Sequence, residues 1–214
     1  MAGKKLKIKV CGMRDSENIR KLIRLKPDFI GFILYPESKR FVGEDYKFDV
    51  EMPESIHRVG VFVNALLGDV IHWVNRLGLD YVQLHGDEPV AYCSELTDMN
   101  IHVIKAFGIH ENFNFDSILP YYPYCKYILF DTKSSAHGGT GKKFDWNILS
   151  GYNFEKPLFL SGGIGPEDIQ VIQLLKKKIP IYAVDINSRF EISPGLKDIK
   201  MLKPFFSTIR NKNF

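Results

Sequence analysis

Eight short apolar runs recur along this chain, and the stretches between them repeat with a helical rather than a two-residue period. The runs are Leu6–Val10, Phe29–Leu34, Arg58–Val63, Tyr81–Leu84, His102–Ala106, Tyr127–Phe130, Pro157–Leu160 and Ile181–Val184, most of them rich in Val, Ile, Phe or Tyr. They show little clean apolar–polar alternation, as expected of parallel strands buried on both faces. The clearest helix lies between the third and fourth runs. Leu67, Val70, Ile71, Val74 and Leu77 form one stripe, and Gly78 follows as a stop. Another helix is expected to open at Gly165-Pro166-Glu167-Asp168, where proline suits the first position and the acids suit the positive end of the dipole. In the last segment, Leu202, Phe205, Phe206 and Ile209 keep helical spacing, while Pro204 predicts a kink or a restart. Pro36–Pro53 reads as a long loop, and Glu111–Pro123, rich in Asn, Pro and Tyr, is the other stretch with a weak pattern.

Eight strands with a connection after each are the count of a closed α/β barrel, so a single (β/α)8 TIM barrel spanning residues 1–214 is expected. At 214 residues, with 45% apolar and 25% charged, the chain can bury a large core but leaves little room for insertions. An open doubly wound sheet is the alternative. It would carry a glycine fingerprint after its first strand, where this chain has Cys11-Gly12-Met13-Arg14-Asp15.

The bulk numbers exclude several classes. Lysine and arginine number 29 against 25 aspartates and glutamates. That net charge of +4 is too small and too scattered to point to nucleic acid, though it suits a small anion. No apolar run is long enough to span a membrane, and the N-terminus lacks a signal-peptide core. Cys11, Cys93 and Cys125 form no paired framework, which fits a cytoplasmic setting; Cys93 and Cys125 read as structural. The six histidines show no ligand spacing, so no metal is expected. A monomer with no cofactor is also expected.

In this fold the chemistry sits where strands end. The candidates are therefore Cys11, the run Tyr35 to Arg40, Asn64, Gln83 with His85 to Glu88, Lys105, Asp131, Ser161-Gly162-Gly163, and Asp185 to Arg189. Backbone amides after the seventh and eighth strands commonly hold a phosphate. Ser161, Gly162 and Gly163 let the chain approach an anion, the following helix adds its dipole, and Asn187 and Ser188 can add donors. The stretch Gly138-Gly139-Thr140-Gly141-Lys142 is not a nucleotide loop, because Ala136 and Lys143 occupy positions that need glycine and Ser/Thr; a closing loop is expected.

Together these stretches resemble the phosphoribosylanthranilate isomerase family of tryptophan biosynthesis. The likeness rests on Lys9-Val10-Cys11-Gly12-Met13, Gly31-Phe32-Ile33-Leu34-Tyr35-Pro36 with Ser38 and Arg40, and Val59-Gly60-Val61-Phe62-Val63-Asn64. It continues through Val82-Gln83-Leu84-His85-Gly86-Asp87-Glu88, Phe130-Asp131, Gly138-Gly139-Thr140-Gly141, Ser161-Gly162-Gly163-Ile164 and Ser193-Pro194-Gly195-Leu196-Lys197-Asp198. One departure is Arg189, where the family often has glycine after a serine pair. The resemblance implies an aldose–ketose isomerase, an intramolecular oxidoreductase acting on a phosphorylated anthranilate riboside by an Amadori rearrangement. It implies Asp131 as the acid, Cys11 as the base, and Arg40 as partner of the anthranilate carboxylate. Gln83, His85 and Gly86 would lie at the substrate. Asp131 must be protonated when it acts and Cys11 must lose its proton, so Lys9 and Arg40 are candidate positive neighbours for the thiol. The rivals are an indole-glycerol-phosphate synthase, which needs a lysine acid, a metal-dependent epimerase, and a barrel that binds without catalysing.

Overall fold

The computed structural model describes residues 5–132 and 143–211. Eight parallel strands close into a barrel in sequence order: β1 Lys7–Val10, β2 Phe29–Ile33, β3 His57–Phe62, β4 Tyr81–Leu84, β5 His102–Ile109, β6 Tyr127–Thr132, β7 Leu158–Leu160 and β8 Ile181–Ile186. Closure is made by β1 against β8, with Lys7 opposite Ala183 and Val10 opposite Ile186. The weakest seam is β1 against β2, paired only at Lys9–Phe29 and Val10–Ile30.

Each apolar run becomes a strand. The ends differ most on β5, β6 and β8, which run farther than their apolar cores. The β5–β6 ladder continues to Ile109 opposite Thr132, so Asp131 lies within β6 rather than after it. Asp185 likewise lies within β8. The polar side chains Asp131 and Asp185 interrupt the apolar runs of β6 and β8, but backbone pairing does not depend on them.

Alternation is stronger than the apolar runs suggested. Phe29, Val59, Tyr81, Ile104, Ala106, Tyr127, Leu129, Phe159 and Ala183 fill the barrel interior. Their neighbours Ile8, Val10, Ile30, Phe32, Val82, Leu84, Val103, Ile128, Phe130, Leu158, Leu160 and Val184 pack outward under the surrounding layer. Residues at i and i+2 share a face, so the interior face continues through Lys9 and Cys11, Gln83 and His85, Asp131, Ser161, and Asp185 and Asn187.

The outer layer is lean. It holds α1 Ser16–Ile23, α2 Leu67–Leu77, α3 Val90–Asp98, α4 Ile169–Lys176 and α5 Ile199–Asn211. Asp15 caps α1 by accepting from the Asn18 amide at 2.7 Å. Gly78 ends α2 in the left-handed region, as its sequence predicted. The helix expected at Gly165 begins as a 3-10 turn, Pro166–Asp168, before α4. The 34–56 connection carries only an isolated bridge between Ile33 and Phe41, and 3-10 helices Phe115–Tyr121 and Trp146–Gly151 stand in the connections after β5 and β6. Pro204 does not break α5. Its missing N–H costs the carbonyl of Lys200 a partner, and both residues face solvent, where water replaces the bond. A short hairpin, β9 Glu191–Ser193 with β10 Leu196–Lys197, folds back from β8 toward the barrel mouth.

Candidate active site

One cavity opens at the C-terminal end of the barrel. Cys11, Arg40, Gln83, His85, Asp131, Ser161, Gly162, Gly163, Asn187 and Ser188 all line it, together with Tyr35, Ser38, Thr132, Ile164, Asp185 and Arg189. Ten of the eleven residues singled out for the site therefore meet in one place. The exception is Gly86. Its amide donates to Glu88 and its carbonyl accepts from Lys105 Nζ at 2.7 Å, so it serves the turn after β4. Lys105, another strand-end candidate, points outward from β5 into a fully buried pair with Glu88 at 3.0 Å. Glu88 also accepts from the Asn64 amide at 2.8 Å. This pair clamps the loops after β3 and β4 and keeps them at a fixed height beneath the mouth.

Cys11 is buried, with its thiol over β2. A Cβ on Gly31 would come within 2.8 Å of the sulfur, so this neighbour has to be glycine for the thiol to lie there. Lys9, two residues earlier on the same face, is fully buried; it hydrogen-bonds Asp185 Oδ2 at 2.7 Å and also reaches the thiol. Burial pushes the Cys11 thiol up, and Asp185 adds to that, while Lys9 and Lys197 pull it down. Burial also raises Asp185, against the pull of Lys9. Asp185 Oδ1 is buried with no hydrogen-bond partner among the described residues.

The hairpin supplies the rest of this wall. Lys197 Nζ donates to Glu191 Oε1 at 2.6 Å and to Asn187 Oδ1 at 2.7 Å. Glu191 in turn receives Arg40 through Nε at 2.9 Å and Nη2 at 2.7 Å. Burial lowers Lys197, and burial alone would raise Glu191, but Arg40 and Lys197 outweigh it and hold its carboxyl below the usual range. Arg40 is thus turned side-on to Glu191 rather than toward the thiol. A guanidinium offers a second, end-on edge through Nη1 and Nη2, and that edge is not taken by Glu191. Glu191 and Lys197 were missed as site residues. The pattern at 193–198 flagged the segment, but nothing local showed that it returns to strand β1.

Asp131 stands on the opposite wall. His85 Nε2 lies 3.1 Å from Asp131 Oδ2, and Gln83 Nε2 lies 2.8 Å from His85 Nδ1. The Thr132 amide donates to Asp131 Oδ1 at 2.8 Å. After β7, Gly162 and Gly163 have φ of +93° and +64°, which side-chain-bearing residues rarely adopt. The turn they make brings the backbone of 161–164 to the cavity wall. Arg189, whose place in the loop departs from the family pattern, bonds Glu167 at 2.6 Å, and Lys143 bonds Glu167 and Asp168 at 3.1 and 2.7 Å. The glycine-rich run at 138–142 lies outside the described residues. Among the described residues no group of three His, Cys, Asp or Glu is placed to hold a metal.

An eight-stranded closed barrel with a thiol and a carboxyl facing one mouth, beside a glycine turn after β7, is a (β/α)8-barrel enzyme of the acid–base type. The family model described as N-(5'-phosphoribosyl)anthranilate (PRA) isomerase matches residues 8–208. The chain belongs to this family of isomerases of tryptophan biosynthesis. It is similar to the N-(5'-phosphoribosyl)anthranilate isomerase of Parabacteroides distasonis, at 45% identity over 94% of this chain and 92% of the relative. The Phocaeicola vulgatus isomerase is 40% identical over 96% of this chain and 98% of that protein. Among solved structures, the isomerase from Thermotoga maritima superposes with a TM-score of 0.85 at 34% identity, covering 97% of this chain and all (100%) of that one. Another phosphoribosyl anthranilate isomerase, solved with reduced 1-(o-carboxyphenylamino)-1-deoxyribulose 5-phosphate, superposes at 0.82 with 31% identity over 97% and 100% of the two chains.

Proposed function

We propose that the chain converts N-(5-phosphoribosyl)anthranilate into 1-(2-carboxyphenylamino)-1-deoxyribulose 5-phosphate, with Asp131 as the acid and Cys11 as the base. The observation that carries this reading is the facing of these two side chains across one cavity, each with its own supporting network. Asp131 gives a proton to the ring oxygen as the bond from C1 to that oxygen breaks, and the nitrogen lone pair closes a C1=N Schiff base. Cys11 then removes the C2 proton. The C2–H electron pair forms C1=C2, the C=N pair returns to nitrogen, and the enolamine tautomerises to the ketone.

The remaining residues divide the substrate between them. Gly162, Gly163 and Ser161, with Asn187 and Ser188, receive the phosphate, and Arg40 takes the anthranilate carboxylate on its end-on edge. Gln83 and His85 line the cavity beside Asp131 and complete the substrate's surroundings. The chain acts as one catalytic domain over residues 1–214, in the cytoplasm, as a monomer and with no cofactor. No described helix is long and apolar enough to cross a membrane. A Thermotoga maritima relative, 29% identical, is described as dimeric, so sedimentation at working concentration decides the oligomeric state.

The test is direct. Purified protein is given freshly prepared substrate, and the anthranilate fluorescence and the product are followed. Formation of the ketose phosphate is expected. Binding of substrate without turnover would instead place the chain among barrels that bind and do not catalyse.

A further inference from the structure

We propose that the acid of this site is a His85–Asp131 pair, with Gln83 setting which protons the pair can hold. This rests on the acid assignment above and deepens it. Gln83 on β4 and His85 just past its end are two residues apart and share the inward face, while Asp131 faces inward from β6. Gln83 is buried, and the His85 and Asp131 side chains are only 15% and 12% exposed. The chain of contacts runs from Gln83 to His85 at 2.8 Å and from His85 to Asp131 at 3.1 Å.

As the Gln83 amide stands, its N–H donates to His85 Nδ1, which must then be bare. The ring hydrogen sits on Nε2 and donates to Asp131 Oδ2, while the Thr132 amide donates to Oδ1. Asp131 is in this state a carboxylate with two donors, and His85 is neutral. The pair has no proton to spare, yet the reaction needs one.

Adding one proton changes the direction of the chain. The pair then exists as imidazolium beside carboxylate, or as neutral imidazole beside a carboxylic acid whose O–H donates to Nε2. Both forms place a hydrogen on Nδ1, and that hydrogen needs an acceptor. Turning the Gln83 amide over presents Oε1 to it. Oε1 is buried without a partner among the described residues, so the turn breaks no bond at that end. Gln83 therefore fits both states. Asp131 gives its proton to the ring oxygen, which leaves the imidazole hydrogen on Nδ1. Exchange of that hydrogen for one on Nε2, as the Gln83 amide turns back, restores the unloaded form. Asp185 stands near both members from β8. Beyond it stand Lys9 of β1 and Cys11 just after that strand. Gln83 and His85 are positioning residues in this scheme, acting on the transferred proton through Asp131.

Two measurements test the pair. In protein with 15N-labelled histidine and no substrate, His85 should show hydrogen on Nε2 and a bare Nδ1 at alkaline pH. It should gain hydrogen on Nδ1 as the pH falls, with a lower midpoint in Asp131→Asn. A hydrogen on Nδ1 at alkaline pH, or an unchanged midpoint in that variant, would overturn the proposal. His85→Gln keeps a donor to Asp131 but cannot carry a proton. It should move the alkaline limb of the kcat/KM profile down by about one pH unit or more, which is tenfold in turnover on that limb. A uniform loss at every pH with the limb in place would show a merely structural histidine. Lack of turnover in the wild type would count against the reaction and leave the histidine measurement standing on its own.

Discussion

The walls of the mouth that carry Cys11 and Asp131 are built differently. The Cys11 wall is dense with buried charge. Lys9 with Asp185, and Lys197 with Glu191 and Arg40, form five ionised groups drawn from β1, the loop after β2, β8 and the hairpin. The Asp131 wall is an amide, an imidazole and a backbone N–H in sequence. The difference follows from what each group must do. A buried thiol resists ionisation, and only nearby cations counter that. An acid must instead regain a proton between turnovers, which calls for a partner able to exchange hydrogen rather than a fixed charge. Around Cys11, three cations, Lys9, Lys197 and Arg40, stand with two carboxylates, Asp185 and Glu191, and Lys9 and Lys197 work against the burial that raises the thiol.

This contrast predicts unequal costs. The largest should come from Lys9→Met, which leaves Asp185 buried without its cation. Urea unfolding should show a loss of about 3–5 kcal/mol, and alkylation of Cys11 at neutral pH should slow. Glu191→Gln should cost roughly 3 kcal/mol at neutral pH, because Arg40 and Lys197 lose a shared partner. Here the pH dependence has a definite sign. Glu191 is held below its ordinary value of 4.5, so folding favours its ionised form. Its contribution is full above about pH 4.5 and is lost as pH falls through the lower folded value, so the gap between variant and wild type should shrink in acid. A gap that widens in acid would contradict the pairing.

Smaller effects should follow from neutral sites. Gly31→Ala puts a methyl within 2.8 Å of the Cys11 sulfur. It should cost about 1–3 kcal/mol as overpacking and lower turnover by displacing the thiol, with Asp131 undisturbed. Gln83→Leu should be mildest, about 0.5–1.5 kcal/mol for one neutral hydrogen bond. If Gln83→Leu destabilises as much as Lys9→Met in the same urea titration, the distinction between the two walls fails.

How much of this was legible in the sequence depends on distance along the chain. The eight strands were visible because each is a local apolar run, and Cys11, Asp131 and Ser161-Gly162-Gly163 were visible because they sit where such runs end. Helix α2 could be read to its Gly78 stop, since both its stripe and its cap are local. Pairings between distant segments were not legible. Arg40 meets Glu191 across 151 positions and Lys9 meets Asp185 across 176, and no local pattern encodes either. The facing direction of Lys105 was also hidden. It looked like a site residue by position, yet register places Ile104 and Ala106 in the barrel and Lys105 outside it. Lys9 was the recoverable case, because two-residue alternation already put it on the face of Cys11.

The central claim is that Cys11 takes and Asp131 gives a proton in one isomerisation. The measurement that bears on it most directly is turnover of Cys11→Ser and Asp131→Asn beside wild type, by anthranilate fluorescence at saturating substrate. Each variant should lose about 10²–10⁴-fold in kcat while still binding the phosphorylated substrate. Turnover at the wild-type rate in either variant would contradict the role assigned to that residue.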